Sequence, residues 1–386
     1  MLANTPDNRM KRLASRPGVG WRTHTAGWLF CTPAGILMIV FLVVPILLAA
    51  WVSVSNWDGI GSPLSSSVHY VGGRNYQSIL TQSGLPRQNF GESIRNNLYY
   101  VLLVIPCQTA LALVLAVVVS RKKLLARGFF RTSYYFPSVT SSVAIAIIFQ
   151  FLFSSTGAIN SVLAFLGLHG PQWFNDPHGL IHIILGLVGV HTGPGILTQH
   201  GLLGLSWWSW FSGPSVAMCA LIILAIWTTS GTFMLIFLPA LYNISEQVED
   251  AAAVDGASSW QKFWRITIPL IRPTLFLVLT LGLIGTWQVF DSVFLISQGN
   301  PAGTTLTPAF LAYQSSFGDQ QWGQGAAIAF ILFGLIVVLT SGQRFFLRDR
   351  DRPGSPGRRQ WRRLWRSAAT GTGSATTATP VTEGSR

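Results

Sequence analysis

Six apolar runs constrain this chain more than any other feature. They cover about 28–51, 98–120, 134–153, 216–241, 274–296 and 325–346, and none holds more than one charged side chain. Crossing a hydrocarbon core of about 30 Å takes roughly 20 helical residues. In lipid every backbone N–H and C=O must be paired within the segment, so each run is expected to be a transmembrane helix. Composition agrees: 49% of the 386 residues are aliphatic or aromatic and only 10% are charged, against about 25% charged in soluble domains. The expectation is an all-α, polytopic membrane protein with six transmembrane helices in one bundle. Trp28 and Trp51 end the first run and suit the two membrane interfaces. Cys31, Cys107 and Cys219 all fall in apolar runs, which suits small packing residues rather than a disulfide set. The polar leader lacks a small-residue cleavage site, and the run after it is too long for a signal peptide.

A net charge of +13 would suggest nucleic acid in a soluble chain. Its placement points elsewhere. With the N-terminus inside, 23 of the 26 Lys and Arg residues fall on the cytoplasmic side, and only Arg74, Arg87 and Arg95 fall outside. The positive-inside rule therefore predicts both termini in the cytoplasm of a cell-membrane protein and no nucleic-acid partner. The expected domains are a basic N-terminus (1–26), a six-helix domain (27–346) and a basic tail (347–386). The tail from Arg344 either flanks the last helix as a solvated stop-transfer signal or rests its Arg358 to Arg366 stretch on anionic headgroups. The last residues, rich in Ala, Thr, Gly and Ser, are expected to be disordered. Residues 154–214 contain no Lys or Arg. The apolar run at 180–190 is too short to span and suits an interfacial or re-entrant helix.

Between the fourth and fifth runs lies the most informative polar stretch, 245–273. Ser245 suits an N-cap, with Glu246, Glu249 and Asp250 at the positive end of a helix. Ala251, Ala252 and Ala253 are strong helix formers that permit close packing. Gly256 suits a left-handed stop. Ser258 with Gln261 reads as a capping box opening a second short helix, which Pro269 is expected to end. Pro273 suits the first turn of the next helix. The prediction is a cytoplasmic helix–turn–helix over 245–273.

Asp250-Ala251-Ala252, three residues, Gly256, nine residues, then Ile266-Thr267-Ile268-Pro269 resembles the EAA loop of permease subunits of binding-protein-dependent ABC importers. That pattern is Glu-Ala-Ala, three residues, Gly, nine residues and Ile-x-Leu-Pro. Asp250 stands for Glu and Ile268 for Leu; both changes keep the chemistry. Ser55 to Gly59, Tyr70 to Tyr76, Trp287 to Asp291 and Gly299 to Thr305 also resemble segments of these permeases, and the whole resembles the carbohydrate-uptake branch, as in the maltose and glycerol-phosphate permease subunits. The stretch 154–216 is longer than the family pattern. The resemblance implies a second, homologous permease subunit, two ATP-binding subunits and an extracytoplasmic solute-binding protein as partners. It also implies that Asp250, Ala251, Ala252, Asp255, Gly256, Ile266 and Pro269 couple the chain to the ATPase.

The sequence has no G-x-x-x-x-G-K-[S/T] pattern around its four lysines, so ATP would be used by a partner and the chain needs no cofactor of its own. It has no G-x-S-x-G and no H-E-x-x-H, which speaks against an enzyme. Asp291 is the one carboxylate within an apolar run, a functional candidate because a buried charge is costly. Trp227, Thr228 and Gly231 lie on the fourth run, with Trp227 and Gly231 on one helix face, and Trp287 and Asp291 likewise stand at i and i+4 on the fifth. With Gln288 they offer the stacking rings and hydrogen-bonding groups that hold a sugar, or they simply pack. His178 and His182 have helical metal-ligand spacing, but no Glu or Cys stands nearby, and no metal site is expected. Two rivals to a sugar importer remain: an ion-coupled secondary transporter, which should carry more intramembrane charges, and a membrane enzyme on a lipid-linked sugar, which should show a carboxylate or His cluster.

Overall fold

The computed structural model describes residues 21–121, 125–190 and 193–346. Most of the basic N-terminus (1–20), Lys122, Lys123, His191 and the tail at 347–386 lie outside these residues. Four helices are long and apolar enough to cross a membrane alone: Gly27–Ser53, Leu85–Ser120, Val216–Tyr242 and Trp322–Phe345. Two bent pairs, Arg127–Val139 with Ser142–Leu152 and Ser259–Leu270 with Arg272–Trp287, raise the number to 6 if each pair is one span. The only strands among the described residues are a short hairpin, Gly201–Leu202 with Leu205–Ser206.

Val216–Tyr242 is the central helix. Ser215 caps it, its hydroxyl accepting from the Met218 N–H at 3.0 Å. On one side of mid-helix, Met218, Leu221 and Ile222 pack with Phe90, Tyr100, Val104, Val293 and Phe310. On the other, Phe233, Met234 and Phe237 pack with Ala112, Ala116, Val119, Ile271 and Val278. The first helix is the exception: from Trp28 to Leu47 its apolar side chains are largely exposed, the arrangement of a helix that faces lipid or another chain.

Two expected helices prove discontinuous. The run at 134–153 bends by 96° between Arg127–Val139 and Ser142–Leu152. Pro137 sits just before the break, and Thr140 and Ser141 are extended; a proline here removes one helical bond and crowds the preceding turn. The run at 274–296 is helical only over Arg272–Trp287, then irregular at 288–290, and resumes with the π-turn Val293–Ser297. The Val289 carbonyl freed by this break accepts from the Thr307 hydroxyl at 3.0 Å. Irregular backbone at membrane depth is tolerated where it is paired in this way or lines a cavity. The run at 180–190 forms an eight-residue helix, Leu180–Leu187, too short to span.

Candidate functional site

The polar loop folds as two short helices joined at Gly256. Glu246–Val254 starts at Ser245, with Glu246 and Glu249 in its first turn. Ser245 has the extended N-cap backbone but its side chain makes no capping bond. Gly256 has φ +75°. The Ala257 N–H reaches the Ala252 carbonyl at 3.0 Å and the Gly256 N–H reaches Ala253 at 3.1 Å, a Schellman stop that only a residue tolerating the left-handed region completes. Ser258 then forms the full capping box with Gln261.

The second helix does not stop at Pro269; it runs on to Leu270. Its middle, Phe263–Thr267, is a π-turn in which the Ile268 N–H bonds to Phe263. The shift fits Pro269, which has no N–H to offer a regular helix. Lys262 Nζ donates to the Glu249 carbonyl at 3.3 Å and ties the two helices together. Asp250, Ala251, Asp255, Gly256 and Pro269 are exposed, Ile266 is half-buried and Ala252 is buried. Val254 at 88% and Trp260 at 69% exposure flank the turn, so it presents two large apolar side chains beside the exposed Asp255.

A cavity of about 510 Å³ lies where the two discontinuous helices meet the central one. The first break supplies Ser138, Thr140 and Ser142; the central helix supplies Thr228, Thr229 and Thr232; the second break supplies Gln288, Asp291 and Ser292. Tyr100, from the Leu85–Ser120 helix, joins the lining as well. The described lining therefore offers hydroxyls, one amide and one carboxylate, with no cationic side chain. This suits a polar, uncharged solute rich in hydroxyls.

The family of the chain follows from its sequence at this point. Residues 108–352 match the model of the binding-protein-dependent transport system inner membrane component. The chain belongs to this family. The permease is 28% identical over 327 residues to the lactose transport system permease protein of Rhizobium radiobacter, an alignment covering 84% of this chain and 94% of that one. It is 31% identical over 326 residues to the osmoprotective compounds uptake permease protein of Synechocystis sp., with 84% and 100% covered. A chain of a bacterial alginate ABC transporter, crystallised with an alginate pentasaccharide-bound periplasmic protein, superposes with a TM-score of 0.64 at 20% identity, covering 87% of the permease and 99% of that chain. The fold is thus shared with a chain of a solved ABC transporter.

Of the five solute-path candidates, Gln288 and Asp291 line the cavity of the permease and the other three do not. Trp287 ends its helix and is 3% exposed, packed with Val101, Leu332 and Ile336. The break after it separates it from Asp291, so the two do not share a helix face. Trp227 is 44% exposed and its ring lies 5.5 Å from Phe149. Gly231 is a packing residue: a Cβ there would sit 2.1 Å from the Tyr134 carbonyl oxygen. Sequence reasoning named Thr228 and missed the other Ser and Thr groups of the lining. The clusters around Pro137 and at 228–232 were the available signal.

Beneath the cavity the permease buries an amide. Gln108, 1% exposed, accepts from the Thr229 hydroxyl at 2.6 Å, and its Nε2 has no hydrogen-bond partner among the described residues. Gly282 makes the room: a Cβ there would lie 2.7 Å from that Nε2. An unpaired buried donor costs about 1–3 kcal/mol, whereas Thr229 keeps a second acceptor in Ala225. Gln108→Leu is therefore expected to melt at or above the wild-type temperature, by up to about 1 kcal/mol of stability. Thermal unfolding in detergent checks this, and a clear drop would mean that the Nε2 is paired.

Among the described residues no group of His, Cys, Asp and Glu could hold a metal. His178 pairs instead with Asp176 at 2.7 Å, and His182 stacks on Trp208 at 4.4 Å. Burial holds the His182 imidazole below its ordinary range, and the nearby Arg95 adds to the effect. The long 154–214 segment anchors on the Leu85–Ser120 helix, with Arg95 and Tyr99 donating to the carbonyls of Ser209 and Trp210.

Proposed function

We propose that this permease is the transmembrane subunit of an ATP-driven ABC importer that carries a sugar or a related hydroxyl-rich solute across the cytoplasmic membrane. It works beside a second, homologous permease subunit, two ATP-binding subunits and an extracytoplasmic solute-binding protein. It crosses the membrane six times with both termini and the 245–273 loop in the cytoplasm, a reading supported by the bias of Lys and Arg to that side. The chain itself is no enzyme; ATP is hydrolysed by the partner.

The observation that carries this reading is the cavity, placed at the breaks of two helices and lined by hydroxyls, Gln288 and Asp291. Discontinuous helices supply binding groups at membrane depth because their unpaired backbone and polar side chains face a cavity rather than lipid. The sugar permeases among the relatives support the solute class. On the cytoplasmic side, the Gly256 turn presents two large apolar side chains and is fixed by two caps. A rigid turn seated on an ATPase turns that subunit's movement into a tilt of the Arg272–Trp287 helix, which begins directly after the loop.

The test is purification of the full chain from native membranes in mild detergent, with its companions identified by mass spectrometry. A second permease, an ATP-binding subunit and ATP hydrolysis stimulated by a sugar-loaded binding protein are the expected result. Solute uptake by the lone chain in liposomes under a proton or sodium gradient would replace this reading with the ion-coupled carrier.

A further inference from the structure

A second cavity, of about 430 Å³, lies beyond the break at 288–290, on the side away from the 245–273 loop. Four rings form its walls: Phe294, Phe310, Tyr313 and Phe317. Three amide side chains complete it: Gln298, Asn300 and Gln314. None of these amides makes a side-chain hydrogen bond to a described residue, and all three are exposed. Tyr313 and Phe317 stack at 5.0 Å, and Phe317 is 61% exposed.

The loop that presents two of the amides is held rigidly. Gln298 and Ala302 have φ +49° and +47°, in the left-handed region that side chains other than glycine rarely adopt. A turn that needed only its shape would use glycine at 298. Buried bonds pin the turn from within: Thr305 Oγ1 donates to Ser297 Oγ at 2.9 Å and to the Asn300 carbonyl at 2.7 Å. Asn96, from the Leu85–Ser120 helix, donates to the carbonyls of Gly303 and Leu306. A strained turn fixed by surrounding structure, with a free amide on it, is what a preorganised recognition loop requires.

We infer that this cavity is a receiving site for one neutral pyranose unit, separate from the cavity at the helix breaks. The inference rests on the sugar-import reading above. The ring faces meet the C–H face of the sugar and the amides pair with its hydroxyls, a division that neither a lipid chain nor an ion would use. Phe290 stands between the two sites. It lines the first cavity and stacks at 5.3 Å on Phe294 of the second, with Tyr313 edge-on at 5.4 Å. Movement of this ring pair opens the route from the receiving site to the inner one.

The test is uptake of radiolabelled lactose, maltotriose and xylotriose by the assembled importer, with KM and maximal rate measured separately. Gln314→Ala and Phe317→Leu are expected to raise KM about tenfold, the equivalent of one lost contact of about 1.4 kcal/mol, and Phe317→Tyr to restore it. Gln288→Ala, in the inner cavity, should lower the maximal rate instead. Gln314 is exposed, so Gln314→Ala guards against misfolding. If the wild type carries one of these sugars and both variants keep its KM, the receiving site is refuted while the sugar reading stands. If the wild type carries neither these sugars nor any of a wider panel of neutral pyranosides, the sugar reading falls and the receiving site falls with it.

Discussion

Gly256→Asp abolishes uptake while the chain still inserts and accumulates. The prediction follows from two facts about the turn. Gly256 is at φ +75°, and a Cβ added there would meet nothing within 4 Å. The conformation is therefore the only demand the chain itself makes at this position. Aspartate and asparagine visit the left-handed region more readily than other side chains, so the turn survives at a cost of about 1 kcal/mol. The new charge, however, lands between Val254 and Trp260, on the exposed surface of the loop. If that surface seats on an ATPase, an unpaired carboxylate must lose its water there. Such burial costs several kcal/mol, enough to reduce docking more than a hundredfold. Gly256→Asn separates the two causes, since it keeps the turn chemistry without the charge, and should retain partial uptake. Uptake in membrane vesicles, normalised to the amount of chain, is the measurement. Wild-type uptake by Gly256→Asp would remove the coupling role from this loop.

The local chemistry of the loop was legible because it is local. Ser258 and Gln261 satisfy each other, and Gly256 closes bonds to carbonyls only a few residues back, so the letters contain the geometry. The hydropathy runs were legible for the same reason. The breaks in two of them were not. The Val289 carbonyl leaves the helix and is paired by the hydroxyl of Thr307, a donor from another element of the chain. Pro137 hinted at the other break, but proline is also tolerated inside Leu85–Ser120 and Val216–Tyr242, so its presence alone does not decide. The expected shared face of Trp287 and Asp291 assumed an unbroken helix, and the break at 288–290 separates them, although Asp291 still lines the cavity. Apart from Thr228, the lining hydroxyls went unread because a Ser or Thr in a span commonly bonds its own preceding carbonyl, as Thr229 does to Ala225. Only the packed structure shows which of them face a cavity.

Gly231→Leu should prevent the chain from accumulating at all. The sequence offered Gly231 as part of a solute face, but the structure gives it a different task. Its missing side chain lets Arg127–Val139 cross the central helix with backbone almost against backbone. A Cβ would stand 2.1 Å from the Tyr134 carbonyl oxygen and 3.0 Å from the Tyr135 Cα. Both are main-chain atoms and cannot swing aside. Close approach at a small residue is how membrane helices gain packing in the absence of a hydrophobic drive between them. Gly231→Ala already forces the two helices apart, at a cost of about 1–3 kcal/mol, and displaces the Ser138 and Thr140 side of the cavity. It should accumulate, melt at lower temperature and transport poorly. Gly334 is the control: a Cβ there meets nothing within 4 Å, and Gly334→Ala should gain up to about 1 kcal/mol from helix propensity. Quantifying chain in the membrane and its melting point in detergent separates these cases. Equal accumulation of Gly231→Leu and wild type would mean that the two helices do not approach at this residue, and that the cavity wall they jointly hold must be placed elsewhere.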